Sequence, residues 1–545
     1  MQDTVALNNI SRERENRWKR ARLLLARAVD APTLMEWALA ALSAWLLIFS
    51  FPNFDWWALA WVGLTPLFIA LVRKPHMGRA FVLGWATGTF FFYISCYWLT
   101  HSMIHYGGIP AWIAYPLLVP AALVLGFFPA ICCAALAFVC LRFGTRGLVA
   151  APFLWASFEW ARFALTGQLW NAIGYSQAYV PSLIQAARWG GVYLIGFLIV
   201  AVNAAFAYWI LERTKRAVRI VALMVGAVAL VILSSLMVSD LPATREPIAV
   251  VVAVQPNVPM KFNRSAAETA MLINRHLMMS EGELWKWEAK QATQKQLARV
   301  VIWSESPMNF SYAHDTEFRE LLTRFAQRNQ TSVLFNSLEP SADGGTHNSA
   351  MMINERGLPV ARYDKIHLLP FGEFVPLPHW IPGANAVSGI VGGFVPGDRL
   401  PLMPLGDSLN AARAGVFICY DSAFPSLTRN YAAQGADVLI NISNDGYLGR
   451  TAVMRQHLAN AVFRAVETAR PVLRVTNTGI SAFVSPRGEV SDTTASFTPE
   501  ARTWTVSRAS NSKTFYTNYG EVFPAACAVI SFLIWAASLT TRRNK

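Results

Sequence analysis

Three strand ends in this chain carry side chains that could act together on an acyl carbon. Cys419 follows the apolar run Gly415-Val416-Phe417-Ile418 and precedes Tyr420-Asp421 and a proline-started helix at Pro425. A nucleophile at a strand-to-helix turn is exposed at the sheet edge, near helix N–H groups that stabilise an anion. A thiol needs that help, and a base, because thiolate is its reactive form. Glu305 closes Val300-Val301-Ile302-Trp303-Ser304, and Lys365 closes Ala361-Arg362-Tyr363-Asp364 ahead of Leu368-Leu369-Pro370-Phe371-Gly372-Glu373. Each residue alone also has a bland reading: free Cys is among the most buried residue types, and a Glu or Lys at a strand end is usually a solvated rim residue. No Ser lies in a G-x-S-x-G setting. His367, His379 and His457 are scattered without metal spacing, so no metal is expected.

The elements that must place these residues lie within 247–510. Short β-rich runs recur at 248–253, 300–303, 332–335, 415–418 and 437–440, with helical patterns at 316–329, 424–434 and 452–469 between them. Strands alternating with helices predict an α/β fold with one core. Cys419 is the only Cys in this region, so a structural disulfide is not expected.

The rest of the chain is different in kind. Of 545 residues, 54% are hydrophobic and only 15% charged, against about 25% charged in soluble domains. That excludes intrinsic disorder, and six Cys without a glycine period exclude disulfide-scaffold and collagen-like chains. Apolar runs long enough to span a bilayer are expected near 34–52, 55–72, 80–100, 112–141, 148–164, 191–211, 219–238 and 522–540. Glu159 and Arg162 interrupt the fifth, three apart on one helix face, either paired inside the membrane or snorkelling near its edge.

Lys and Arg crowd the N-terminal tail, the 73–79, 142–146 and 213–219 loops and the C-terminal tail, while Arg188 stands alone opposite. The positive-inside rule then predicts eight spans, both termini cytoplasmic and the α/β segment outside. The basic excess of the net +14 charge lies with the apolar part, which argues against a nucleic-acid partner. A cleaved signal peptide is not expected. The predicted organisation is a basic tail (1–33), membrane helices 1–7 (34–239), a periplasmic catalytic domain (240–515), and an eighth helix with a cytoplasmic tail (516–545).

The motifs carry a resemblance. Val-Ile-Trp-Ser-Glu305, Tyr-Asp-Lys365-Ile-His-Leu-Leu-Pro-Phe-Gly-Glu373-Phe-Val-Pro and Ile-Cys419-Tyr resemble the Glu-Lys-Cys triad segments of the nitrilase (carbon–nitrogen hydrolase) superfamily. With eight spans around it, the chain looks like the apolipoprotein N-acyltransferase family. Trp61-Val-Gly-Leu-Thr-Pro-Leu, Phe158-Glu-Trp-Ala-Arg162, Gly190-Gly-Val-Tyr, Ile442-Ser-Asn-Asp445, Gln456-His-Leu458 and Arg470-Pro-Val-Leu-Arg-Val-Thr-Asn477-Thr-Gly479 add to it. The chain departs from the family pattern at Ser304, at Asp421 where Glu is usual, at Gly446-Tyr447-Leu448, and at Phe262 and Pro256. These positions bear on donor or acceptor preference rather than on reaction type.

The resemblance implies an αββα sandwich beside the eight-helix membrane domain, and a two-step acyl transfer without cofactor or metal. Cys419 is the implied nucleophile, Glu305 the base and Lys365 the oxyanion cation. Glu373 either assists Lys365 or is a rim charge. Tyr420, Asp421, Tyr447 and Phe262 are expected to line or gate the pocket. The implied partners are the lipid bilayer, a phospholipid donor such as phosphatidylethanolamine, and the S-diacylglyceryl-Cys of an apolipoprotein as acceptor, at the bacterial inner membrane. The Gly/Pro-rich stretch 375–400 reads either as a lipid-gating lid with Trp380, Ile381 and Phe394 on the bilayer, or as a loop packed on its own domain. Competing readings are a paralogue acylating another amine, a membrane-tethered amidase, and a transporter or lipoprotein-binding scaffold with a dead enzyme domain.

Overall fold

The structure is a computed structural model that describes residues 31–167, 169–237, 247–261, 263–290, 297–342, 344–375, 393–406, 411–510 and 512–540. Helix α1 (Leu34–Ser50) starts at a reciprocal cap: Thr33 Oγ1 accepts from Glu36 N, and the Glu36 carboxylate accepts from Thr33 N. Helix α2 (Thr65–Arg73) is capped from a distance, because Asn203 Oδ1 accepts from Leu64 N at 2.7 Å and Thr65 N at 2.9 Å. There follow α3 (Met77–Ser95), α4 (Leu99–His105), α5 (Ala111–Phe143), α6 (Ala151–Thr166), α7 (Ala187–Glu212) and α8 (Lys215–Met237).

Among the described residues, four helical runs are long and apolar enough to cross a membrane: Ala111–Thr166, Ala187–Glu212, Lys215–Ser234 and Val522–Thr540. The α3–α4 pair, bent by 52°, passes the same test only when taken together, as a broken span or a re-entrant loop, and Leu34–Ser50 and Trp57–Arg73 are shorter apolar helices. Small residues let α3 and α5 approach closely: a Cβ on Gly126 would lie 2.4 Å from Thr89 Oγ1. Glu159 and Arg162 are both buried and turn inward. Glu159 Oε1 accepts from Ile173 N at 2.8 Å and Arg162 donates to Trp170 O at 3.1 Å, so the two brace the segment after α6 instead of snorkelling.

The α/β part holds two six-stranded sheets. Strands β1 (Pro247–Gln255), β2 (Ala298–Trp303), β3 (Ser332–Pro340), β4 (Thr346–Ile353), β5 (Pro359–Asp364) and β12 (Glu500–Ser507) form one, ordered β12-β1-β2-β3-β4-β5. Strands β6 (Leu402–Leu405), β7 (Ala412–Ile418), β8 (Val438–Ser443), β9 (Val472–Thr476), β10 (Ala482–Val484) and β11 (Val490–Ser491) form the other, ordered β11-β10-β9-β8-β7-β6. The pairings β1–β2, β2–β3, β7–β8 and β8–β9 are parallel.

Period-2 burial sets the layers. Ala249, Val251 and Ala253 join a core with Val416 and Ile418 of the second sheet. Val252 and Val254 point the other way, onto Leu284 of α9 (Ala266–Lys290) and onto Phe318 and Leu322 of α10 (Thr316–Asn329). On the second sheet α11 (Pro425–Ala433) packs against β7 and α12 (Val453–Thr468) against β9, giving an αββα sandwich. The last helix, α13 (Val522–Thr540), returns to α6, where Ser531 and Ser157 hydroxyls meet at 3.2 Å.

Helix α12 is the joint between the two parts, buried at every position but Arg455. Gln456 Oε1 accepts from Trp98 Nε1 and Trp170 Nε1, each at 3.0 Å, while its Nε2 donates to Ser95 O at 3.0 Å and Pro52 O at 3.2 Å. Gln456→Ala would strand the buried Trp170 indole donor and the buried Pro52 carbonyl, while Trp98 Nε1 keeps Ser95 O at 3.1 Å. An unsatisfied buried group costs about 1–3 kcal/mol. The expected result is a loss of about 3 kcal/mol or more, read as a lower melting temperature of the solubilised protein. An unchanged melting temperature would mean that water takes Gln456's place.

Candidate active site

Cys419 is the first residue past β7 and adopts φ +50°, a left-handed conformation that costs a non-glycine residue about 1–3 kcal/mol. The turn continues as a short 3-10 helix, Cys419–Ala423, and the thiol is buried. Burial, reinforced by Glu305, pushes the thiol up to about 12. It is therefore neutral at ordinary pH and requires a base.

Glu305, two residues past β2, supplies a carboxylate with side-chain exposure of 13%. Its Oε1 accepts from Asn348 Nδ2 at 3.0 Å and its Oε2 from Asn444 N at 2.8 Å. Burial raises this carboxyl above its ordinary value; Lys365 pulls it back and Glu373 pushes it further up. Lys365, the residue after β5, lies 3.9 Å from Glu305 Oε1, and 2.9 Å and 2.8 Å from the two oxygens of Glu373. Burial opposes the lysine's charge, but the carboxylates of Glu373 and Glu305 outweigh it and hold the ammonium protonated. Glu373 also accepts from Leu369 N at 2.7 Å and from Asn348 Nδ2 at 2.9 Å. It is buried, which removes its reading as a rim charge.

The remaining sequence candidates separate. Tyr447 OH stands 3.9 Å from Cys419 Sγ, and its carbonyl accepts from Ser102 Oγ of α4 at 2.8 Å. Burial, with Cys419 and Glu305 nearby, holds this phenol well above its usual value, so it keeps its proton and can donate to sulfur. Tyr447→Phe removes only that donor and is expected to slow Cys419 acylation about 3- to 10-fold, the size of one neutral hydrogen bond; single-turnover kinetics check this. Tyr420 is buried against the membrane part, its hydroxyl 3.4 Å from Gly167 O.

Asp421 departs from its expected place on the pocket wall. It is fully buried, and its carboxylate accepts from Tyr363 OH at 2.7 Å, Ile418 N at 3.1 Å and His367 N at 3.0 Å. It braces the nucleophile turn against the segment that carries Lys365. Phe394 bridges to Thr346 of β4, and next to it Val395 N donates to Thr346 O at 2.9 Å. Phe262, Trp380 and Ile381, with most of 375–400, lie outside the described residues.

Sequence reasoning missed Asn348, whose single amide serves both carboxylates and which sits in β4 without a motif signal. It also gave His457 no part. Cys419, Asp445 and His457 each place a potential ligand atom within 4.8 Å of the others. The His457 and Asp445 side chains are engaged with each other and with Arg474: His457 Nδ1 meets Asp445 Oδ1 at 2.8 Å, and Arg474 donates to Asp445 Oδ2 at 2.7 Å. Burial pushes Asp445 up, but Arg474 and His457 outweigh it and hold the carboxyl well below its usual range.

A buried thiol beside a carboxylate–lysine–carboxylate chain, at the ends of two stacked sheets, defines a class of carbon–nitrogen and acyl chemistry. The carbon–nitrogen hydrolase family model matches residues 251–512, nearly the whole span of both sheets. The model for the apolipoprotein N-acyltransferase N-terminal domain matches residues 43–205, from α1 into α7. An apolipoprotein N-acyltransferase of Geobacter metallireducens is 30% identical, over 94% of this chain and 97% of that one. Another, from Chromobacterium violaceum, is 30% identical over 93% and 94%. Among solved structures, a mutant of the amidase from Nesterenkonia sp. AN1 aligns at 17% identity over 50% of this chain and 96% of that one, with a TM-score of 0.34. The chain belongs to the apolipoprotein N-acyltransferase family.

Proposed function

We propose that this protein is a phospholipid:apolipoprotein N-acyltransferase of the bacterial inner membrane, working through a thioester on Cys419. The observation that carries the reading is the placement of Cys419, whose turn, with Tyr420 and Tyr447, packs directly onto the apolar helices. A tether alone would not need the catalytic turn against the membrane part, which disfavours the amidase reading.

Glu305 takes the proton of Cys419 Sγ, and the sulfur attacks the sn-1 ester carbonyl of the donor, phosphatidylethanolamine being our choice. Lys365 faces the oxyanion, where a preorganised cation acts most strongly. The ester C–O bond then breaks, and Glu305 returns the proton to the departing lysophospholipid. In the second step the α-amine of an S-diacylglyceryl-Cys attacks the thioester and Glu305 takes its proton. The C–S bond breaks, Glu305 passes that proton to the leaving sulfur, and Cys419 returns as the thiol beside an ionised Glu305, a ping-pong cycle. Both substrates are anchored in the outer leaflet, and the apolar surroundings keep water from the thioester.

Eight spans follow if Ala111–Thr166 is divided at Gly144, where φ +60° ends α5, and if the bent pair and the two shorter helices each cross once. The basic loops support an orientation with both termini in the cytoplasm and the sandwich in the periplasm. The test is intact mass after incubation with phosphatidylethanolamine. A hydroxylamine-labile fatty-acyl adduct, absent in Cys419→Ala, is expected. No adduct with any phospholipid tried would sink the proposal.

A further inference from the structure

We propose that His457 is a positioning residue for the nucleophile, holding the Cys419 turn in its left-handed conformation through the cysteine's own carbonyl; this rests on the reading of Cys419 as nucleophile. The conformation at Cys419 is unfavourable for any residue with a Cβ, so neighbouring groups must hold it. From the sheet side, Asp421 accepts from Ile418 N at 3.1 Å. From the membrane side, His457 Nε2 donates to Cys419 O at 3.0 Å. The His457 contact holds the peptide unit that follows the Cys419 α-carbon, and so its ψ, while the Asp421 contact anchors the chain one peptide unit upstream, ahead of Ile418; the backbone angles of Cys419 aim Sγ.

His457 is itself held on every side. Its Nδ1 donates to Asp445 Oδ1 at 2.8 Å, Ser443 Oγ donates to the same oxygen at 3.2 Å, and Arg474 of β9 ties down the other oxygen. The Trp170 ring stands 5.5 Å from the imidazole, centroid to centroid. His457, Asp445 and Arg474 are buried, so water does not compete for these bonds. A carbonyl and a carboxylate can only accept, so the geometry calls for hydrogen on both ring nitrogens; burial and Arg474 oppose that charged form and lower the imidazole's pKa, while Asp445 and the Cys419 carbonyl favour it. The residue before it, Gln456, is the one bonded into the membrane helices. The seating of α12 on the membrane part thus fixes the donor that reaches the nucleophile, which couples the thiol's aim to the docking of the two parts.

The test uses the full-length solubilised protein and two amide replacements that keep opposite halves of the ring's bonding. His457→Gln can still reach Cys419 O, whereas His457→Asn reaches only Asp445. Two readouts are taken, the kcat and donor KM of acyl transfer, and the alkylation rate of Cys419 by iodoacetamide located by peptide mass. We expect kcat to fall about 30-fold in His457→Asn with donor KM within twofold, and to stay within about fivefold of wild type in His457→Gln. Alkylation should change in the same order. Equal losses in both variants that track a common fall in melting temperature would reduce His457 to a structural residue and overturn the proposal. So would wild-type kcat and alkylation in His457→Asn. Alkylation needs no acyl donor, so it still separates the two variants if the acyltransferase reading itself fails.

Discussion

Lys365→Met is expected to lower the rate of acyl-enzyme formation about 1,000-fold or more, beyond the ~100- to 1,000-fold typical of losing one oxyanion donor. The excess comes from what the lysine does before any substrate arrives. Its ammonium lies between Glu305, at 3.9 Å, and Glu373, at 2.9 Å. Both carboxylates also lean on the one amide of Asn348. Methionine has a similar length and no charge. Without the cation, two buried carboxylates share a site, and one of them must hold a proton. Burial already raises Glu305, so the proton falls on the base as readily as on its neighbour. The variant then loses oxyanion stabilisation and base together.

The measurement is intact mass against time after addition of phosphatidylethanolamine, with Glu373→Gln alongside. That second variant keeps the cation and one carboxylate, so it should acylate faster than Lys365→Met. If Lys365→Met acylates at a rate near wild type, the oxyanion is stabilised elsewhere.

How much of this was readable beforehand divides along a physical line. Five strands and three helices of the sandwich were legible because each carries its own local signal; the helix Ala266–Lys290 and the other seven strands were not read. The 316–329 pattern is the helix Thr316–Asn329, and the apolar runs at 300–303 and 415–418 fall inside β2 and β7. Glu305, Lys365 and Cys419 were legible as reactive types at strand ends. What local pattern does not carry is which strand ends meet. Asn348 in β4, Asp445 after β8 and His457 on α12 reach the site through sheet order and layer stacking, at separations no spacing rule covers. That is why His457 read as scattered. Asp421 was misplaced for the same reason: adjacency to a nucleophile in sequence says nothing of whether a side chain turns to the pocket or to Tyr363. The apolar runs before 240 were plain, but the inward turn of Glu159 and Arg162 depended on the segment 170–173 folding back to meet them.

Glu305→Gln separates the base from the rest of the cluster, because glutamine keeps the size and one acceptor oxygen while losing the ability to take a proton. The thiol it serves is held near 12 by burial, so at neutral pH almost no thiolate forms unaided. The expected loss in acylation rate is about 1,000-fold, within the ~100- to 10,000-fold range for a positioned acid–base group. The pH profile is the stronger readout. A base must be ionised to act, and burial raises Glu305 above its ordinary value. Wild-type acylation should therefore fall on the acid side at a higher pH than a solvated Glu, near 4.3, would give. In Glu305→Gln that acid limb should vanish. The residual rate should instead climb about tenfold per pH unit, following the thiol's own ionisation. If the variant keeps the wild-type acid limb, the base is another group and the role falls to Glu373, the neighbouring carboxylate on Lys365.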